Sequence, residues 1–256
     1  MIHPTAIVAA DARLGAHVRI GPCAVIEEDV ALDEGCEIAA HAVIKRHTRM
    51  GARNRVAEHA VIGGDPQDLK FSSGTLSHVK IGDDNVFREG VTVHRGSREG
   101  GRTRIGNSCF LMAYAHVAHD CVIGNQVVMV NQATIAGEVV VHDGAFLSGF
   151  VGVHQFCRIG RMAMIGGLTK LVQDALPFCI TDGNPGRARG LNLTGLRRGG
   201  FSREEIAALK EAYRMLYARM PLEEALARMK KMGSAAVTEF ADFISASKRG
   251  FAHPSA

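Results

Sequence analysis

An apolar residue stands at every sixth position along most of this chain, and that spacing constrains the fold more than any other feature. It runs Ile2, Val8, Leu14, Ile20, Ile26, Leu32, Ile38, Ile44, Met50, Val56 and Ile62. After a one-residue slip it resumes at Ile81, Phe87 and Val93 and continues through Ile105, Leu111, Val117, Ile123, Met129, Ile135, Val141, Leu147, Val153, Ile159, Ile165 and Leu171, with only Glu99 out of pattern. A second column, four residues after each of these, is mostly small: Ala6, Ala12, Ala24, Cys36, Ala42, Ala60, Cys109, Ala115, Cys121, Ala133, Ala145 and Cys157. A simple strand repeats at two and a helix at 3.6, so neither produces this column. A solenoid with flat faces does: each hexapeptide gives one short strand and one corner, and three close a triangular coil of about eighteen residues.

The expectation is a β-helix of between eight and nine coils, roughly 40 Å tall at about 4.8 Å per stacked strand. The large aliphatic residue fills the prism and the small one sits where faces crowd. The period fixes neither the hand of the coil nor the number of copies. Two stretches break register and must leave the prism, residues 63–80 and 94–104. The second is polar and reads as flexible. Insertions in a solenoid gather on one side, often the binding side, and Asp68 and Lys70 are the polar groups of interest in the first.

After Leu171 the repeat decays into a turn-rich linker, and residues 191–256 read as a helical unit following a β-helix over 1–190. Ser202 and Glu205 have the spacing of a capping box. Ile206, Leu209, Tyr213 and Leu216 make one helical face; Pro221 opens a second helix with Leu222, Leu226 and Met229; Val237, Phe240 and Ile244 line a third.

Composition narrows the function classes. With 46% apolar residues, both parts can be filled. Met1 leads directly into the repeat, and no apolar run reaches the roughly 20 residues of a membrane span, so a cytosolic protein is expected. Four of the six cysteines lie in the small inward column and read as reduced filler, not as disulfides or metal ligands. The net charge of +4 is concentrated late: from Arg197 onward there are eleven Lys/Arg and seven Asp/Glu. An acidic partner would suit that end, and so would an ordinary solvated helix surface. No phosphate-binding glycine loop, nucleophile elbow or Cys-x-x-Cys pair occurs, and no basic stripe interleaved with aromatics points to nucleic acid.

Chemistry concentrates in the segment Met112–Cys121, which holds His116, His119 and Asp120. His3, His41, His47 and His59 read as surface residues. Gly137 lies eighteen residues past His119 and Gln155 eighteen past that, so the three stack on one edge, flanked by Glu138 and His154. Such an edge is a plausible reaction cleft. Residues three apart on a strand face opposite sides, so His116 and His119 are poorly placed to share a metal, and no metal site is expected.

The segments Gly64-Asp-Pro-Gln-Asp-Leu-Lys70, Val93-His-Arg-Gly96, Ala115-His-Val-Ala-His-Asp-Cys121, Val153-His-Gln-Phe156, Gly190-Leu-Asn-Leu-Thr-Gly-Leu-Arg-Arg198 and Gly200-Phe-Ser-Arg203, in this order, resemble the UDP-N-acetylglucosamine O-acyltransferases that begin lipid A synthesis. The hexapeptide repeat alone is common to many acyltransferases; the His-Val-Ala-His-Asp-Cys, His-Gln-Phe and Asn-x-x-Gly-Leu-x-Arg segments together are specific. The resemblance implies a left-handed β-helix in a cytosolic homotrimer, without cofactor, that moves an (R)-3-hydroxyacyl chain from acyl carrier protein to the 3-hydroxyl of the UDP-sugar. It implies His119 as general base, Asp120 as its orienting group and the Gly137 N–H as oxyanion donor. Asp68, Lys70, His116, His154, Gln155, Asn192 and Arg198 then fall at sugar-nucleotide or cleft positions. Gly167 matches a position that limits acyl length, and glycine there suggests a longer chain.

That chemistry is coherent. Imidazole, with a reference pKa of about 6.5, can take the proton of a sugar hydroxyl near neutral pH, a contribution of about 10²–10⁴ in rate. A fixed N–H aimed at the developing oxyanion adds about 10²–10³. The sequence departs from the family at Glu138, where a histidine is usual, and at Thr194, where a glutamate is common. A carboxylate at 138 raises an alternative acceptor, a sugar with a protonated 3-amino group. Another acceptor or an acyl-CoA donor, and a non-catalytic scaffold, are the further alternatives.

Overall fold

The computed structural model describes residues 1–254. Short parallel strands stack into three sheets. Sheet I has nine strands and includes His116–Val117, Thr134–Ile135 and Gly152–Val153; sheet II has eight and includes Val122–Ile123 and Val140–Val141; sheet III has ten and includes Phe110–Leu111, Phe146–Leu147 and Met164–Ile165. The chain visits them in the order I, II, III once per coil. Val117 pairs with Ile135 and Ile135 with Val153, eighteen residues per step.

The inward column explains the closure. From Ile20 to Leu171 every residue of the six-residue column, Glu99 apart, is buried, together with the small column from Ala24 to Cys157. Each large aliphatic side chain so removed from water contributes about 1.5–3 kcal/mol. The buried thiols are useful polar filler: Cys36, Cys109 and Cys121 donate to the carbonyls of Gly51, Gly124 and Ala136, fifteen residues on, at 3.0, 3.1 and 3.2 Å. Burial pushes Cys109 up to about 11 and Cys121 up to about 12, so neither is a nucleophile at neutral pH. Corner residues adopt left-handed φ at the coil spacing, as at Asp120 (59°), Glu138 (59°) and Phe156 (65°). That conformation costs a residue with a Cβ about 1–2 kcal/mol, so the corners exist because the stacked sheets demand them.

Glu99 does not break the column. Ile81 pairs with Ile105 and Val93 with Val117, in each case twenty-four residues apart, so six residues are looped out and Glu99 is among them. Lower down, Ile62 pairs with Val93 across thirty-one residues, leaving thirteen in the first loop. Both insertions leave the prism between a strand of sheet I and the next strand of sheet II, hence from one edge.

The stretch expected to be a turn-rich linker is instead a β-hairpin, Cys179–Asp182 antiparallel to Arg187–Leu191, whose first strand joins the end of sheet III parallel to Met164–Ile165. It covers the open end of the prism and leads into four helices: α1 (Leu193–Arg198), α2 (Arg203–Leu216), α3 (Leu222–Lys230) and α4 (Ala235–Ser245). Helix α2 begins at the Ser202–Glu205 capping box. Helix α1 is short and carries no apolar periodicity, which is why the sequence gives no sign of it. Phe178, Leu196, Leu209, Met229, Val237 and Phe240 form the second core. Polar contacts bolt it to the prism: Arg161 pairs with Glu239 at 2.8 Å, and Arg158, itself paired with buried Asp174 at 2.8 Å, donates to the Phe243 carbonyl at 2.7 Å. Among the described residues no helix is long and apolar enough to cross a membrane.

Candidate active site

The edge between sheets I and II carries His119, Gly137 and Gln155 on successive coils. Backbone hydrogen bonds tie the stack: the Glu138 N–H donates to the His119 carbonyl at 3.0 Å and the Phe156 N–H to the Gly137 carbonyl at 3.2 Å. Among the described residues the ladder leaves the Gly137 N–H without a partner, although the N–H groups of Ala136 and Glu138 on either side are used.

His119 Nδ1 lies 2.9 Å from Asp120 Oδ2, and both side chains are mostly buried. The left-handed corner at Asp120 turns its carboxylate back toward the preceding residue. The same oxygen accepts the Ser97 N–H at 2.9 Å and the Ser97 hydroxyl at 2.7 Å. Burial pushes the Asp120 carboxyl up, but the hydrogen bonds from Ser97 and His119 outweigh it, and the net shift is downward. A carboxylate accepting at Nδ1 makes that nitrogen the donor and leaves Nε2 free to take a proton. Above the ring there is glycine: a Cβ on Gly137 would sit 2.5 Å from both Cε1 and Nε2 of His119. Any side chain there would displace the imidazole.

Below the pair, His116 Nδ1 contacts the Thr92 hydroxyl at 2.7 Å, and its ring meets His94 edge to face at 4.8 Å. His94 is 8% exposed and its Nδ1 has no partner. Burial lowers it to about 4, reinforced by His116 and His119, and burial lowers His116 as well. Both are neutral at pH 7. Arg95, 1% exposed, holds the first loop: it donates to Asp65 at 2.9 Å, to the Thr75 carbonyl at 2.6 Å and to Ser77 at 3.2 Å, and lies 5.0 Å over the Phe71 ring. Asp68 and Lys70 stand exposed on that loop, where Asp68 Oδ1 accepts the Lys70 N–H at 2.9 Å.

Glu138 forms an ion pair with Arg98 from the second insertion. That insertion is therefore an ordered strap across the edge, contrary to the flexible loop its composition suggests. His154 and Gln155 are exposed one coil above Gly137, with His154 Nδ1 3.2 Å from the Gln155 carbonyl. The sequence reading missed Ser97, Thr92, His94 and Arg95 as site residues. Their signal was obscured by the six-residue insertion; with it subtracted, they fall one coil below the His116–Asp120 segment.

Three expected residues lie elsewhere. Gly167 is at the edge between sheets III and I, its nearest neighbour from a built Cβ being the Gly149 carbonyl at 3.5 Å. Asn192 caps α1 and Arg198 is its last residue; Asn192 accepts the Gly195 N–H at 3.0 Å and donates to the Met162 carbonyl at 3.1 Å. With Thr194, Phe146 and Met164 they line a groove of about 530 Å³ on sheet III. In a three-sided prism, sheet III is the face opposite the edge that carries His119.

The profile of a family described as Udp N-acetylglucosamine O-acyltransferase, Domain 2, matches residues 174–252, and a bacterial transferase hexapeptide profile matches residues 102–137. An acyl-[acyl-carrier-protein]–UDP-N-acetylglucosamine O-acyltransferase of Paraburkholderia phymatum is 48% identical over 97% of this chain and 98% of its own length. The chain belongs to that acyltransferase family. The Synechocystis member is 49% identical, with a match that spans 64% of this chain and 60% of that protein. The UDP-N-acetylglucosamine acyltransferase of Francisella novicida superposes with a TM-score of 0.96 at 37% identity, over 99% of this chain and 94% of that one. The Campylobacter jejuni acyltransferase gives 0.95 at 35% identity over 100% of both. The hexapeptide prism of this chain is a left-handed β-helix.

Proposed function

We propose that this chain transfers an (R)-3-hydroxyacyl group from acyl carrier protein to the 3-hydroxyl of UDP-N-acetylglucosamine, the first step of lipid A biosynthesis, as a cytoplasmic homotrimer. The observation that carries the mechanism is the carboxylate-held imidazole of His119 under a glycine whose N–H is unused. His119 Nε2 removes the proton of the sugar hydroxyl as its oxygen attacks the thioester carbonyl. The carbonyl oxygen becomes an oxyanion facing the Gly137 N–H. The C–S bond then breaks, and the imidazolium returns its proton to the departing thiolate. Asp120 stays ionised throughout and stabilises the imidazolium.

The division of the expected site supports an assembly of copies. Asp68, Lys70, His116, His119, Asp120, Gly137, Glu138, His154 and Gln155 share one edge, whereas Asn192 and Arg198 lie on the opposite face and Gly167 on another edge. One copy cannot close them around a substrate; a neighbouring prism that turns its sheet III toward the edge can. The Arg98–Glu138 ion pair favours the neutral 3-hydroxyl acceptor over a 3-amino sugar, because the carboxylate already has a cation. The acidic carrier suits the basic excess after Arg197.

Transfer by purified protein from (R)-3-hydroxyacyl carrier proteins of several lengths, with 3-hydroxy and 3-amino UDP-sugars as acceptors, tests the reaction. Preference for the 3-amino sugar would overturn the acceptor assignment. The shared site is tested by co-refolding H119A with R198A: mixed oligomers recover activity that neither variant has alone. No recovery would mean that a single copy holds the whole site.

A further inference from the structure

We propose that Ser97 is a positioning residue for the reaction, fixing the orientation of Asp120 and through it the tautomer of His119; this rests on His119 as the base. Asp120 Oδ2 takes three donors at once, the Ser97 N–H, the Ser97 hydroxyl and His119 Nδ1, at 2.9, 2.7 and 2.9 Å. A carboxylate oxygen has directional lone pairs, so two donors from one residue set the carboxylate plane and the direction left for the third. Without the hydroxyl, the carboxylate has a single anchoring N–H and can swing. The imidazole it holds is then free to exchange tautomers.

Ser97 can do this because its own segment is fixed. The Ser77 hydroxyl donates to the Gly96 carbonyl at 2.5 Å, the Gly100 N–H to the Leu76 carbonyl at 2.8 Å, and the Leu76 N–H to Glu99 at 3.0 Å. A Cβ on Gly96 would lie 2.4 Å from the Gly101 carbonyl carbon, and one on Gly101 would lie 3.1 Å from Asp120 Oδ1. Arg98 ties the far side of the strap to Glu138, on the coil above. The strap therefore connects the first loop, which carries Asp68 and Lys70, with the base pair and with the corner beside Gly137. Three donors converge on one carboxylate oxygen, and two of them come from Ser97.

The test compares S97A and S97T with the full-length wild type in kcat, KM for each substrate, melting temperature and the ¹⁵N NMR signature of His119. S97A is expected to lose about tenfold in kcat, the rate equivalent of one charge-assisted hydrogen bond, with both KM values within about twofold, an unchanged melting temperature and mixed His119 tautomers. S97T restores the hydroxyl and most of the rate. Wild-type kcat in S97A, or S97T no better than S97A, would overturn the proposal. A wild type that transfers nothing would sink the functional reading instead, and Ser97 would then be judged by the tautomer alone: a single Nδ1–H form in S97A contradicts its role.

Discussion

Two histidine–aspartate pairs occupy the same edge of the prism, and their surroundings differ. His47 Nδ1 lies 2.8 Å from Asp29 Oδ2, as close as the 2.9 Å between His119 and Asp120. In the lower pair Asp29 is also engaged by Arg49, and His47 meets the His78 ring edge to face at 5.7 Å. The hydrogen bond from His47 is the largest effect holding the Asp29 carboxyl low, against burial and alongside Arg49. In the upper pair the carboxylate partner is the neutral Ser97, and the roof over the imidazole is a glycine. A cation on the carboxylate weakens its hold on the imidazole; the two rings themselves are about equally exposed, 21% for His47 and 19% for His119. The contact is common to both pairs; what differs is the glycine above the His119 ring and the neutral Ser97, in place of an arginine, on its carboxylate.

The largest effect should come from closing that roof. Gly137→Ala puts a methyl group 2.5 Å from the His119 ring atoms, displaces the base and should cost about 10²–10³ in kcat with a smaller loss in melting temperature, read by steady-state transfer and calorimetry. Next, Asp120→Asn keeps the shape but removes the charge that stabilises the imidazolium, with an expected loss of about 10–10² in kcat. An intact rate in either would erase the difference between the two pairs.

A smaller contrast is in acid. The upper pair rests on His94, lowered to about 4 by burial, whereas the unfolded chain takes up that proton near 6.5. Between those values the unfolded state binds more protons, so stability falls as pH drops from 6.5 to about 4, by up to about 3 kcal/mol. His94→Gln should flatten that part of the stability curve, measured by denaturant unfolding at a series of pH values. The smallest effect belongs to the lower pair: His47→Ala should leave kcat within about twofold and cost about 1 kcal/mol of stability or less.

The prism was legible because its interior obeys one strict period, and each of Ile20 through Leu171 in that column is where the period puts it. The stacking of His119, Gly137 and Gln155 followed from the same count. What escaped was carried by residues off the period. Ser97 and His94 reach the site only after six looped-out residues are subtracted, and the composition of 94–104 suggested flexibility because it shows polarity and glycine but not the partners that order them. The hairpin over Cys179–Leu191 hid among turn residues for a like reason: it adds to a sheet edge that the repeat had already built. Asn192 and Arg198 had no spacing relation to His119, and the fold puts them on the opposite face.

The most direct test is acyl transfer to UDP-N-acetylglucosamine by His119→Ala beside His47→Ala, with the oligomeric state and melting temperature of both recorded. The account predicts that H119A loses at least about 10² in kcat with fold and assembly intact, while H47A transfers at nearly the wild-type rate. Equal activity in the two variants would contradict it.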